Sequence, residues 1–319
     1  MSNPWSDIKT PSTDFNVRLV SEDHPLKLYW GRDSEGHLLF VFESAPENVP
    51  SKRSLPALTG IRTGVSIRED SARLVLLLRQ KENWELFHAL CSDLVRATST
   101  IPDGPAAGSV ILRRLIRWQE FLKRTRPRTM STEAIKGLIG ELLFLSQRVA
   151  PTFGLDDAVG FWKGPEGAPQ DFAIHQTAVE VKCQAGSTKP FVRISSLEQL
   201  DSQLPEGYLV VYTISTADDD DSEGFSLNGL VERIREDLQS CSAEARERFE
   251  DLLYQSDYVT SEFYDEQRFA AVSVRSFTIG EEFPRLTPSG VAPGIDEVKY
   301  RLSLEACSPH EGRPGWWEK

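Results

Sequence analysis

The chain has 319 residues, enough for about two domains at the usual 100–200 residues each. Hydrophobic residues make up 39% and charged residues 26%, an ordinary globular composition that excludes a disordered chain. The net charge of −12 argues against a general polyanion binder, and no apolar run approaches the ~20 residues of a membrane helix.

The N-terminal stretch carries Pro4 and Pro11 among polar residues and reads as neither a signal nor a transit peptide. Cys91, Cys183, Cys241 and Cys307 form no CxxC pair, so free thiols in a reducing cytoplasm are expected and a structural zinc site is not. Residues 26–30 and 37–42 read as strands of a hairpin around Gly31 to Gly36. Residues 61–67 and 72–79 read as a second strand pair. Residues 83–97 have helical spacing through Trp84, Phe87, Leu90 and Leu94. Thr98 to Gly108, with Pro102 and Pro105, reads as a linker.

Ser109 to Lys123 reads as a helix with Ile111, Leu115, Trp118 and Leu122 on one face and Arg113, Arg117 and Arg124 on the other. Residues 111–128 hold seven cations and one anion, which stands out in an acidic protein. The arginine face could track DNA phosphates; it could equally be a solvated helix face. Ser131 or Thr132 can cap a further helix whose apolar stripe is Ile135, Leu138, Leu142 and Leu145, with Glu141 beside it. Gly137 and Gly140 inside that helix suggest close packing against a neighbour. Residues 171–174 and 178–184 read as short strands of one hairpin, and 191–194 as another strand. Ser195 to Leu204 looks helical. Residues 208–214 are apolar on both parities, as in a strand buried on both faces. Helical and strand-like runs follow between 228 and 304. The expected class is α/β (α+β). The expected order is a β-rich module (1–100), a linker with the basic helix (101–130), a mixed-sheet core flanked by helices (131–216), and a C-terminal extension (217–319).

Chemistry concentrates in the hairpin. Alternation puts Glu180 and Lys182 on one strand face, with Val179 and Val181 on the other. Asp171, at the start of the partner strand, can approach that polar face. Two carboxylates and one amine then converge on an apolar sheet. Mg²⁺ takes hard oxygen ligands, one or two carboxylates plus water and phosphate, so the set suits metal-assisted phosphodiester hydrolysis. Glu141 could add a carboxylate and the Val181 carbonyl a further oxygen. A bare ExK triplet is weak, expected about once by chance in such a chain. A second copy, Glu297-Val298-Lys299, opens a strand-like run without a preceding hairpin, so context favours the first. A salt-bridged strand face is the bland alternative.

With Pro169-Gln170-Asp171 and Glu180-Val181-Lys182 as its two motifs, the pattern resembles the PD-(D/E)XK nuclease superfamily. More closely it resembles a family of uncharacterised bacterial proteins described as members of that superfamily. The matching stretches include Gly137 to Leu142, Trp162 to Pro165 and Ile194 to Leu200, and then Phe283 to Leu286. The resemblance implies a restriction-endonuclease-like core and a divalent cation, Mg²⁺ with Mn²⁺ able to substitute. It implies DNA as substrate and a place among bacterial restriction or anti-phage defence genes, with partner proteins of such an operon. It puts Asp171, Glu180 and Lys182 at the catalytic positions, Glu141 at the helix carboxylate, and Gln184 and Gln199 in support. Gln170 splits the Pro-Asp pair, and Gln203 stands where one branch of the superfamily has tyrosine. A homodimer follows by analogy alone.

Other features are weaker. The acidic run Asp218 to Asp221 lacks EF-hand spacing. Gly186 to Lys189 lacks the phosphate-loop arrangement. The histidines are scattered, and Trp162 and the Trp316-Trp317 pair read as packing residues. The competing function is a catalytically silent DNA-binding or scaffold subunit that keeps the fold.

Overall fold

Alternating burial sets the first sheet: along Ala72–Leu78 every second side chain is buried. The computed structural model describes residues 3–124, 130–186, 190–218, 221–295 and 297–317. The chain divides into two units, Met1–Arg128 with Val259–Ser261, and Thr129–Tyr258 with Glu262–Lys319.

In the first unit, β1 (Phe15–Leu19), β2 (Lys27–Asp33), β3 (Leu38–Ser44), β4 (Ile61–Ile67) and β5 (Ala72–Leu78) form an antiparallel sheet in the order β1-β2-β3-β5-β4. The β1 strand is mostly exposed, which is why no apolar alternation announces it. Helix α1 (Trp84–Ala97) follows, then α2 (Pro105–Arg124). The expected linker is shorter than its composition suggests. Pro105 opens α2, where a missing N–H costs nothing because the first-turn amides have no helical partner. Ile111, Leu115, Trp118 and Leu122 are buried as expected. Arg114 is buried too, 3.7 Å from Asp93 of α1, whose other oxygen accepts the Trp118 indole N–H at 3.0 Å.

In the second unit, Ser131 caps α3 (Thr132–Phe144) by accepting from the Ala134 amide. The helix runs on through a π turn, Leu145–Val149, into α4 (Ala150–Phe153), with α5 (Leu155–Phe161) after it. The strands β6 (Phe172–Ile174), β7 (Thr177–Ala185), β8 (Phe191–Ile194) and β9 (Glu206–Thr216) follow. Next come α6 (Leu227–Asp237), α7 (Ala243–Gln255), β10 (Phe269–Thr278), β11 (Tyr300–Ser303) and α8 (Leu304–Cys307). The main sheet has the order β10-β9-β7-β6, with β7 and β9 parallel and the other pairs antiparallel. Strand β9, apolar throughout its middle, is central, as its two-faced hydrophobicity requires.

Three expectations need correction. Strand β8 does not join the main sheet. It pairs with β11 in a separate ribbon whose Val192, Ile194 and Leu302 pack on Leu209 and Val211 of β9. Residues 195–204 form only a single 3₁₀ turn, Glu198–Leu200, and the chain leaves helical conformation at Asp201 (φ −126°, ψ 72°); the Gln199 side chain accepts from the Ser195 amide at 2.8 Å. The Glu297–Lys299 triplet lies before β11, as an exposed ion pair at 2.5 Å.

Gly140 lets α3 approach β7. A side chain there would begin 3.0 Å from Cys183 Cβ. Gly137, expected to pack in the same way, faces open space instead. Gly140→Leu should therefore destabilise the fold by about 1–3 kcal/mol. Gly137→Ala should stabilise it by about 0.5–1 kcal/mol. Urea unfolding of the two variants checks the contrast, and similar effects at both positions would contradict the packing.

Candidate active site

The site begins where β6 stops. The β6–β7 register pairs Phe172 with Val179, so Asp171 falls opposite Glu180 one step beyond the last ladder pair. Strand β7 continues past that point with its outer edge free of β6. There the Val181 amide donates to Asp171 Oδ2 at 2.8 Å in place of a backbone carbonyl. The Asp171 carbonyl in turn accepts from the amides of Lys163 at 2.7 Å and Gly164 at 3.0 Å. The Trp162–Pro165 segment thus pins the aspartate's backbone.

Glu141 reaches the same place from α3. Its Oε2 accepts the indole N–H of the fully buried Trp162 at 2.7 Å. Gly164 locates Glu141 relative to Asp171: a methyl group there would lie 2.7 Å from Asp171 Oδ1 and 3.1 Å from Glu141 Oε2. The two carboxylates flank one small volume that the absence of a side chain keeps open.

Glu180 is buried, with 1% of its surface exposed, and Lys182 Nζ lies 2.6 Å from its Oε1. Glu180 Oε2 has no hydrogen-bond partner among the described residues. The Lys182 amine also donates to Gln199 Oε1 at 3.3 Å. Gln199 therefore meets the site, although the helix expected to carry it is only a turn. Gln184 lies two residues beyond Lys182 and donates to Thr213 Oγ1 at 3.2 Å.

Arg113 is exposed and Arg117 half-buried on α2 in the first unit, and neither is unpaired. The side chain of Arg124, with Arg126 and Arg128, lies outside the described residues. So do Asp219 and Asp220 of the acidic run, and Ser187 to Lys189. His175 takes a left-handed turn conformation and packs edge-on against Phe153 and Phe161, away from this chemistry.

Sequence reasoning missed three supports. It read Trp162 as a core wall, but the indole also holds Glu141. Gly164 leaves the space between the two acids, and only its place in the Trp-Lys-Gly-Pro string hinted at it. Arg285 anchors the Gln199 turn through the Leu200 carbonyl and lies 3.3 Å from Asp201.

The residues of the Trp162–Pro165 and Phe283–Leu286 strings thus act on the same site as the Asp171 and Glu180–Lys182 motifs. The sequence profile of a family described as "Putative PD-(D/E)XK family member, (DUF4420)" matches residues 1–305. The chain belongs to that family. Membership places it in a nuclease superfamily with an α/β fold, consistent with the mixed sheet and flanking helices seen here. No curated protein and no solved structure matches the chain. No described helix is long and apolar enough to cross a membrane.

The electrostatics follow from burial. Burial, then the Asp171 charge, pushes the Glu141 carboxyl up to about 8, against the opposing pull of the Trp162 N–H and Lys182. Burial also raises Asp171, opposed by Lys182 and by the Val181 amide. Burial carries Glu180 well above the ordinary carboxylate range; Asp171 adds to the effect, and Lys182 works against it. Burial alone would lower the Lys182 ammonium, but Glu180, Asp171 and Glu141 hold it above its usual value. The cluster carries an excess of negative charge that favours a proton or another cation.

Among the described residues, no three His, Cys, Asp or Glu side chains are grouped tightly enough to hold a metal ion as they stand. The donor chemistry nevertheless fits a hard divalent cation. Glu180 keeps a buried oxygen without a partner, and Glu141 and Asp171 face one open volume.

A carboxyl whose folded pKa is raised holds its proton more tightly in the native state than in the unfolded chain. For Glu141 the resulting stabilisation is complete below its ordinary value of 4.5 and is lost as pH rises through about 8. Without metal, Glu141→Gln should therefore gain on the wild type by a few degrees in thermal midpoint between about pH 5 and pH 8. A pH-independent difference would remove the buried-acid account.

Proposed function

We propose that this chain is a Mg²⁺-dependent endonuclease that hydrolyses DNA phosphodiester bonds. The observation that carries the reading is the buried Glu180 beside Lys182, opposite Asp171, with one carboxylate oxygen free. Bacterial restriction or anti-phage defence is the setting implied by the family resemblance.

Asp171, Glu180 and Glu141 would hold the cation, with the Val181 carbonyl as a further oxygen. In a strand, the N–H and C=O of one residue point to the same edge. The Val181 carbonyl therefore shares the edge from which its amide reaches Asp171. A bound divalent ion would lower the pKa of a water and neutralise charge on the scissile phosphate. Lys182, held between Glu180 and Gln199, would orient the attacking water and donate to the phosphate oxygen that gains charge. Gln199 would fix the amine, and Gln184 would support the same strand face. Arg113, Arg117 and Arg124 are candidate phosphate contacts of the first unit.

Cleavage of supercoiled plasmid in Mg²⁺ tests the reading. Asp171→Ala and Lys182→Ala should each slow it by about 10²–10⁴-fold. Equal cleavage by wild type and both variants would end the assignment. Gly164→Ala alters no reacting group, yet its methyl would crowd Asp171 and Glu141, so it should also reduce cleavage.

The competing reading, a silent DNA-binding or scaffold subunit, draws on the absence of three grouped ligands among the described residues. Calorimetry separates the two. A nuclease should bind Mn²⁺ at this site, and Glu180→Gln should weaken binding by about tenfold or more. A scaffold need show no such binding.

A further inference from the structure

The β8–β11 ribbon sets two arginines directly opposite each other: its register pairs Arg193 with Arg301. Burial alternates along β8, with Val192 and Ile194 inside and Phe191 and Arg193 outside. On β11, Leu302 is buried and Arg301 exposed. Both arginines therefore stand on the outer face of the ribbon, with Cβ atoms about 5 Å apart. Like charges in that position repel and cost stability. Among the described residues, neither arginine makes an ion pair.

Phe191 orients one of them. The Arg301 guanidinium carbon lies over the Phe191 ring, 3.6 Å from its centroid. Phe191 is itself exposed on this face. A guanidinium stacked on a ring keeps the N–H groups of its edge for bidentate contact. The stack also limits the side-chain freedom that binding would otherwise cost.

The ribbon's place matters as much as its charge. Its inner residues pack on Leu209 and Val211 of β9. By register, Leu209 lies beside Glu180 and Val211 beside Lys182. The ribbon thus covers the sheet face that carries the site's strand residues. Strand β8 then runs into Ser195, whose amide donates to Gln199 Oε1 at 2.8 Å, and the same oxygen accepts from Lys182 at 3.3 Å. Arg193 comes two residues before Ser195, about 7 Å along an extended chain, so its backbone lies within about 13 Å of the Lys182 amine. A DNA strand advancing roughly 3.4 Å per nucleotide covers that distance in about four nucleotides.

We propose that the outer face of this ribbon holds the backbone of the DNA strand whose phosphodiester meets Lys182, with Arg193 and Arg301 gripping one phosphate a few nucleotides from the cut. A phosphate between the two guanidiniums turns their repulsion into charge-assisted hydrogen bonds. Continuity with the acid–amine cluster singles out the substrate strand over any other anion. Contacts of this kind set register and orientation and carry no sequence information.

The inference rests on the reading that the site takes DNA, and its test separates the two. Anisotropy of a labelled duplex in Mg²⁺, on the cleavage-impaired Lys182→Ala background, reads binding; plasmid cleavage by the otherwise native chain reads the chemistry. Arg193→Gln and Arg301→Gln should each weaken duplex binding by about fivefold to tenfold at low salt. Each should also reduce the slope of log affinity against log salt by about one. Phe191→Leu changes no charge, so it should weaken binding about threefold with the slope unchanged. In the otherwise native chain, both arginine variants should raise the KM for plasmid more than they lower kcat. All three side chains are exposed, and thermal melts should match the wild type. Wild-type affinity and slope in both arginine variants, with cleavage intact, would overturn the ribbon's role and leave the nuclease reading standing. Arginine-dependent binding without any cleavage would do the reverse. No duplex binding at all, or a Phe191→Leu protein that binds as its parent does, would also overturn the proposal.

Discussion

The hydrogen bond from the Val181 amide to Asp171 sets the geometry of the second unit's chemistry. A strand that outruns its partner leaves backbone groups unpaired, and an edge half inside a protein needs partners for them. Here a carboxylate supplies one. It fixes Asp171 against the strand that carries Glu180 and Lys182, and it ties the acid's position to main-chain geometry rather than to a flexible side chain. The Trp162–Pro165 segment completes the arrangement by holding the Asp171 carbonyl on the other side.

Three acids and one amine in such confinement are an electrostatic problem before they are a site. Lys182 offsets only part of the charge, and the raised carboxyl pKa values of Glu141, Asp171 and Glu180 express the remainder. Packing cannot relieve it, because Trp162 and Gly164 hold the groups in place from the other side.

Much of this was legible in the residues. The Asp171 and Glu180–Lys182 motifs, the α3 stripe with its Ser131 cap, and the two-faced β9 strand each express a local rule: alternation, helical period or capping. What was hidden depends on distant partners. Residues 195–204 have helical spacing, yet the chain turns out of helical conformation at Asp201 after a single 3₁₀ turn. Phe191–Ile194 reads correctly as a strand, but nothing local reveals that β11, about a hundred residues later, is its mate. Gly137 and Gly140 look alike in sequence; only the approach of Cys183 distinguishes them. Trp162 read as core because its burial is apolar, while the single polar atom that serves Glu141 leaves no sequence pattern.

The Trp316-Trp317 pair closes the unit from far along the chain. Trp317 lies against Phe144 and Arg148, and Trp316 against Phe153, so the residues after α3 receive neighbours made some 170 positions later. Contacts of such long sequence separation slow folding, since the chain entropy is lost before the contact is gained. A ribosome would expose the apolar flank of this helix for most of the time needed to make the rest of the unit. Part of the cover of the Phe144 and Phe153 rings thus arrives only after nearly all of the unit has been made.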